Sequence, residues 1–114
     1  YWTIRHYYER YHLPVMVTEN GMAAPDMVCG DGAVHDVDRT EFLQDFLGNV
    51  KQAVTEGIPV LGYQHWSIMD NFEWCEGYEP RFGLIHVDYE TQKRTIKDSG
   101  LAYAQIIREN GSNL

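Results

Sequence analysis

The stretch Val15-Met16-Val17-Thr18-Glu19-Asn20-Gly21 decides how this chain is read. Val15, Val17 and Thr18 are β-branched and favour an extended backbone. Pro14 stands just before the run, and Asn20-Gly21 are turn formers just after it. Residues 15–18 are therefore expected to form a short strand that ends on the carboxylate of Glu19. The C-terminal end of a buried strand, at the start of a loop, is where α/β folds carry chemistry. Taken alone, Glu19 is one of 17 acidic residues, most of which should be solvated surface groups. The rest of the chain has to choose between the two readings.

Upstream, Trp2, Ile4, Tyr7, Tyr8 and Tyr11 recur with helical spacing over residues 2–12. His12-Leu13-Pro14 closes that helix, because the residue before a proline disfavours helical dihedrals. Downstream, residues 20–37 are rich in Gly and Asp and read as a long loop, a length more typical of functional loops than of plain connections. Asp38 is a candidate N-cap with Glu41 as its capping-box partner. Phe42, Leu43, Phe46, Leu47, Val50, Ala53 and Val54 then form one helical face, and Gly57 is placed to end it. Pro59–Trp66 reads as a second strand and Ser67–Phe82 as an aromatic loop. Leu84–Tyr89 and Lys93–Thr95 read as a hairpin, and a last helix capped by Asp98 or Ser99 runs to about Asn110, with Gly111 beyond it. The order helix, strand, loop, helix, strand, loop, helix is that of βα units, so the fold class is α/β. Parallel sheets are covered on both faces, and two strands have too few partners here. With Tyr1-Trp2-Thr3-Ile4-Arg5 opening as though in mid-helix, the expectation is one piece of a longer chain.

The 114 residues are enough for one ordinary domain, and 44% hydrophobic with 23% charged residues is a globular composition. A net charge of −8 argues against nucleic-acid backbones and anionic membrane surfaces as partners. No run reaches membrane-spanning length. The five His are scattered and no Cys/His spacing reads as a metal site, so neither metal nor cofactor is expected. Cys29 and Cys75 read as two free thiols, which points to a reducing, cytoplasmic setting.

A second constellation lies in Gln64-His65-Trp66-Ser67-Ile68-Met69-Asp70-Asn71-Phe72-Glu73-Trp74 and continues through Gly77-Tyr78-Glu79-Pro80-Arg81-Phe82-Gly83. Aromatic faces stack on the C–H faces of sugars, and carboxylates accept hydrogen bonds from hydroxyls. A few polar anchors among aromatic walls is the general recipe of a small-ligand pocket. The plain alternative is an aromatic minicore under a loop, since Trp and Tyr most often pack. Asp70 and Glu73 weigh against it, because unpaired carboxylates among aromatics are costly.

These blocks, together with Arg81-Phe82-Gly83-Leu84-Ile85-His86-Val87-Asp88-Tyr89 and Arg94-Thr95-Ile96-Lys97-Asp98-Ser99, resemble the C-terminal quarter of family 1 glycoside hydrolases. The likeness covers essentially all of the chain, in order. It implies the last two strands and flanking helices of a (β/α)8 TIM barrel, and a retaining β-glucosidase-type activity without metal or cofactor. By resemblance, Glu19 is the nucleophile at the end of the seventh strand and Trp66 the platform under the sugar. Glu73 grips the 4- and 6-hydroxyls, Trp74 reaches the 3-hydroxyl, and Phe82 forms a pocket wall. Asp70, Asn71 and Arg81 are expected to order the loop. An acidic Glu73 would repel a 6-phosphate, so the implied substrates are non-phosphorylated β-glucosides or related oligosaccharides and aryl glycosides. The partner that such an enzyme needs is the remainder of its barrel.

Retaining glycosidases need a second carboxyl group as acid/base, kept protonated by its surroundings. In this family it lies in an Asn-Glu-Pro motif that the chain does not contain, and Tyr78-Glu79-Pro80 is only an echo of it. Gln64 also departs from the family, which usually carries an aromatic there. A non-catalytic sugar-binding piece, or one inactive without the rest of the barrel, is the rival expectation.

Overall fold

In the computed structural model, which describes residues 1–114, the two apolar runs form parallel strands β1 (Val15–Asn20) and β2 (Val60–His65). Helix α1 (Trp2–Tyr11) leads into β1, and α2 (Val37–Thr55) makes the crossover that parallel pairing requires. The antiparallel hairpin β3 (Ile85–Val87) and β4 (Arg94–Ile96) leads into helix α3 (Asp98–Arg108).

One face of the β1–β2 pair is covered. Val15, Val17 and Val60 pack on Ile4, Ala53 and Ile58, while Tyr63 packs on Leu43, Leu47, Leu84 and Ile106. The other face is bare, with Met16, Thr18, Leu61 and Gln64 all exposed, Leu61 to 71%. The chain is a slab only 18 Å through its thinnest dimension and exposes 7436 Å². That is about 1,000 Å² more than a compact monomer of its mass would show. A parallel sheet covered on one side is what two βα units taken by themselves should leave.

The helix termini correct several expectations. The stripe on α1 is a core face only in part: Ile4 is buried and Tyr8 packs with it toward Ala53 and Ile58, whereas Trp2, Tyr7 and Tyr11 stand in solvent. The N-cap of α2 is Asp36 rather than Asp38, and no capping box forms. The Asp36 carboxylate serves another helix instead, accepting from the Ser99 backbone N–H at 2.9 Å and from the Ser99 hydroxyl. It thereby supplies the cap of α3, whose N-cap position is Lys97 rather than Asp98 or Ser99. The expected stop at Gly57 is present. At φ 89°, Gly57 donates to Val54 O and Ile58 donates to Ala53 O, both at 3.0 Å, the paired bonds of a Schellman ending. Asn110 takes the same role after α3 with φ 49°, two residues past the end of the helix at Arg108.

Candidate active site at the strand ends

Glu19 lies in a bulge. Val17 pairs with Tyr63 and Asn20 pairs with His65, so Thr18 and Glu19 together oppose the single residue Gln64. The extra residue breaks the two-residue alternation and leaves Thr18 and Glu19 both exposed, while Asn20 returns toward the covered face. Asn20 is then held twice. Its carbonyl accepts from the Trp66 backbone N–H at 2.9 Å, and its side-chain Oδ1 accepts from the Tyr63 hydroxyl at 2.8 Å. Gly21 follows at a contact that admits no side chain, since a Cβ there would stand 1.9 Å from the Trp66 carbonyl oxygen. The ends of β1 and β2 are thus fastened, and Glu19 and Trp66 lie on one edge of the sheet. Glu19 also borders an open cavity of about 440 Å³ between α1, α2 and β1, lined in part by Val17, Asn20, Phe46 and Tyr63.

The aromatic loop brings the remaining residues to the same edge. The Trp66 indole N–H donates to Glu73 Oε1 at 3.3 Å, and the Ser67 backbone N–H donates to the Phe82 carbonyl at 3.2 Å. Glu73 therefore sits beside Trp66, and the Phe82 backbone is tied to the residue after it. Trp74 begins a short 3-10 turn (Trp74–Glu76) and is 80% exposed. Its ring starts a series of edge-on and tilted contacts through Phe72 and Tyr78 to Tyr89. These rings are exposed or half-buried, not the closed minicore that the aromatic content alone also allowed. Glu79 is exposed on the turn beyond them.

Asp70 is not an unpaired carboxylate. Its Oδ1 accepts from Lys97 Nζ at 2.8 Å and from the Gly83 N–H at 3.0 Å, and its Oδ2 accepts from Arg81 at 2.6 Å. Burial pushes the Asp70 carboxyl up, but the bonds from Lys97 and Arg81 outweigh it and hold the group below the usual carboxylate range. Lys97 also meets Asp26. Arg39, with no exposed side-chain surface, bonds Asp26 at 2.7 Å, Asp36, and the Arg81 carbonyl at 2.7 Å. Three carboxylates and three cations thus balance, tying the long loop after β1, the start of α2, the aromatic loop and the start of α3 into one knot. Asp70 and Arg81 order the loop, as the family resemblance implied. Asp26, Asp36, Arg39 and Lys97 escaped the sequence reading. One signal was available: Arg39 falls four residues before Leu43 on the apolar face of α2, where a cation has to find a buried acid.

Residues 1–112 match the model of glycosyl hydrolase family 1. The chain belongs to this family. β-Glucosidase A of Thermotoga maritima is 48% identical to it over 112 residues, covering 97% of this chain and 25% of that protein. A bifunctional β-D-glucosidase/β-D-fucosidase of Bifidobacterium breve is 49% identical over 104 residues, covering 88% of this chain and 23% of that protein. Among solved structures, the T. maritima β-glucosidase in complex with cyclophellitol superposes with a TM-score of 0.94 at 47% identity, covering 96% of this chain and 26% of that one. The same enzyme in complex with deoxynojirimycin gives an equal score. The chain therefore spans about a quarter of the length of the family 1 relatives it matches. Its two parallel strands and their helices are part of a (β/α)8 barrel, and the bare sheet face is the one that such a barrel closes over.

Proposed function

We propose that this chain carries the nucleophile and part of the sugar pocket of a retaining β-glycosidase acting on terminal, non-phosphorylated β-D-glycosides. The observation that supports it best is the junction of the two strand ends. The bulged Glu19 is fastened through Asn20 and Gly21 to Trp66, whose indole holds Glu73. In this reading Trp66 stacks under the sugar ring, Glu73 accepts from the 4- and 6-hydroxyls, Trp74 donates to the 3-hydroxyl and Phe82 closes one wall. The Glu19 carboxylate attacks the anomeric carbon as the bond to the aglycone oxygen breaks, and a glycosyl ester forms on Glu19. Water then attacks the anomeric carbon and releases Glu19 as a carboxylate. The acid that protonates the leaving oxygen and then deprotonates the water comes from outside these 114 residues, so the chain by itself is incomplete for the reaction.

A carboxylate nucleophile suits this chemistry because it is ionised at neutral pH and its ester with the sugar is labile. Glu73 adds selectivity: its negative charge favours hydroxyl donors and disfavours a phosphate at the same place. The test is Glu19→Gln in the complete protein. Hydrolysis of an aryl β-glucoside should fall by more than about 10^4-fold, as removal of a nucleophile does elsewhere. A rate near wild type would sink the assignment. The rival, a sugar-binding piece without catalysis, would leave the unsubstituted complete protein without hydrolytic activity while it still bound glucosides.

A further inference from the structure

We infer that the Tyr63–Asn20 hydrogen bond is a positioning device for the nucleophile. It pins the register of the β1 bulge and so fixes where the Glu19 carboxylate stands. This rests on the reading of Glu19 as nucleophile, and it assigns work to two residues to which that reading gives no sugar contact. The geometry starts from the bulge: two residues of β1 oppose one of β2, between the pairs Val17–Tyr63 and Asn20–His65. Nothing in the ladder itself decides which of Thr18 and Glu19 takes the extra position. A shift by one residue would exchange their directions, because side chains alternate along a strand. The backbone bond from Trp66 to the Asn20 carbonyl is indifferent to residue type. The side-chain bond is not, because only Asn20 offers Oδ1 to the Tyr63 hydroxyl, at 2.8 Å across a sequence separation of 43 residues.

Tyr63 is anchored by packing. Its ring is packed against Leu43, Leu47, Leu84 and Ile106 and lies edge-on to Tyr103 at 6.3 Å. Burial pushes its phenol well above the usual range, so the hydroxyl remains a donor and Asn20 Oδ1 the acceptor. A fixed donor rooted in the helix-covered core thus reaches the residue next to Glu19. Gly21 completes the device by lying against the Trp66 carbonyl. The bond bears on catalysis because a nucleophile must lie within a few tenths of an ångström of its attack position.

The experiment uses the complete protein and an activated 2-deoxy-2-fluoro-β-glucoside, which traps the glycosyl ester. Wild type, Tyr63→Phe, Asn20→Ser and the double variant are compared for the inactivation rate constant at saturation, the half-saturation concentration and the melting temperature. Tyr63→Phe removes one oxygen and keeps the packing. Each single variant should lower the rate constant about tenfold, the size of one lost hydrogen bond felt in the transition state, with less than a twofold change in half-saturation. The double variant should fall no further than the singles, because both remove one and the same bond. A rate constant within twofold of wild type in Tyr63→Phe would overturn the inference. So would multiplicative losses in the double variant, or a loss in rate only where melting temperature drops below the assay temperature. If the wild-type label maps to a residue other than Glu19, the parent reading fails instead, and the two failures are distinguishable.

Discussion

Replacing Asp70 by Asn should cost the complete protein about 3–5 kcal/mol of stability, the range for stripping one partner from a buried ion pair. Asp70 has no exposed side-chain surface and accepts four bonds, from Lys97, Arg81, Gly83 N and Val87 N. Asn keeps the volume but turns an NH2 donor toward groups that are themselves donors. Lys97, fully buried, keeps Asp26 as its one carboxylate partner, whereas Arg81 is 18% exposed and can regain some water. Lys97 therefore accounts for most of the loss, and the lower half of the range is expected. Urea unfolding of wild type and variant, monitored by tryptophan fluorescence, gives the difference through the midpoint. The pH dependence has a definite sign. The folded Asp70 carboxyl is held below its ordinary value, so its contribution is present above about pH 4 and fades as pH falls through the lowered value. The wild-type advantage over Asn should be flat from neutral pH to about pH 5 and shrink below that. Adding Lys97→Met to Asp70→Asn should cost less than the two single losses together. A loss under about 1 kcal/mol, or fully additive losses, would refute the view of this knot as the fastening of the aromatic loop.

Three further outcomes follow from the same geometry. Gly21→Ala drives a Cβ into the Trp66 carbonyl, 1.9 Å away in the undisturbed fold, so the strand ends must part. Activity of the complete protein on an aryl glucoside should drop at least about 100-fold, the scale of a misplaced catalytic group, and near-normal activity would contradict the junction described. His35 bonds Asp98 at 2.6 Å and Asp31 at 2.9 Å, and these two carboxylates, Asp98 first, raise its pKa to about 9. What this bridge adds to stability is full below about pH 6.5 and is lost as pH rises through about 9, so the His35 ring protons should titrate near 9 by NMR, whereas a midpoint near 6.5 would show that the bridge is not formed. Glu73→Ser should raise KM for a simple β-glucoside about tenfold or more and narrow the preference over the 6-phosphorylated glucoside; an unchanged ratio of kcat/KM values would remove Glu73 from the sugar contact.

The parts of this structure that are local or patterned were legible in the sequence. The strand that carries Glu19 (expected over residues 15–18, observed to run on to Asn20), the helix with Leu43 and Leu47 inward, and the stop at Gly57 depend on residues within one turn or one strand. The motif blocks around Trp66 and Glu73 carried the family directly. What escaped depends on distant partners or on missing neighbours. The bulge at Thr18–Glu19 is set by pairing with β2, and no local feature of β1 marks it. Asp36 resembled one more loop acid, because its role as the cap of α3 spans 63 residues. The tyrosines of α1 have the spacing of a core stripe, yet nothing in this chain covers Tyr7 and Tyr11. The knot of Asp26, Arg39, Asp70 and Lys97 joins four separate segments, and its members betray themselves singly only where a cation falls on an apolar face.

The most direct test of the central claim is the site of the covalent label. The complete protein is inactivated with an activated 2-deoxy-2-fluoro-β-glucoside, digested with trypsin and sequenced by mass spectrometry. One 2-deoxy-2-fluoroglucosyl unit is expected on the peptide Tyr11–Arg39, attached to Glu19. A label on any other residue, or turnover of the parent glucoside with no label trapped, would contradict that claim.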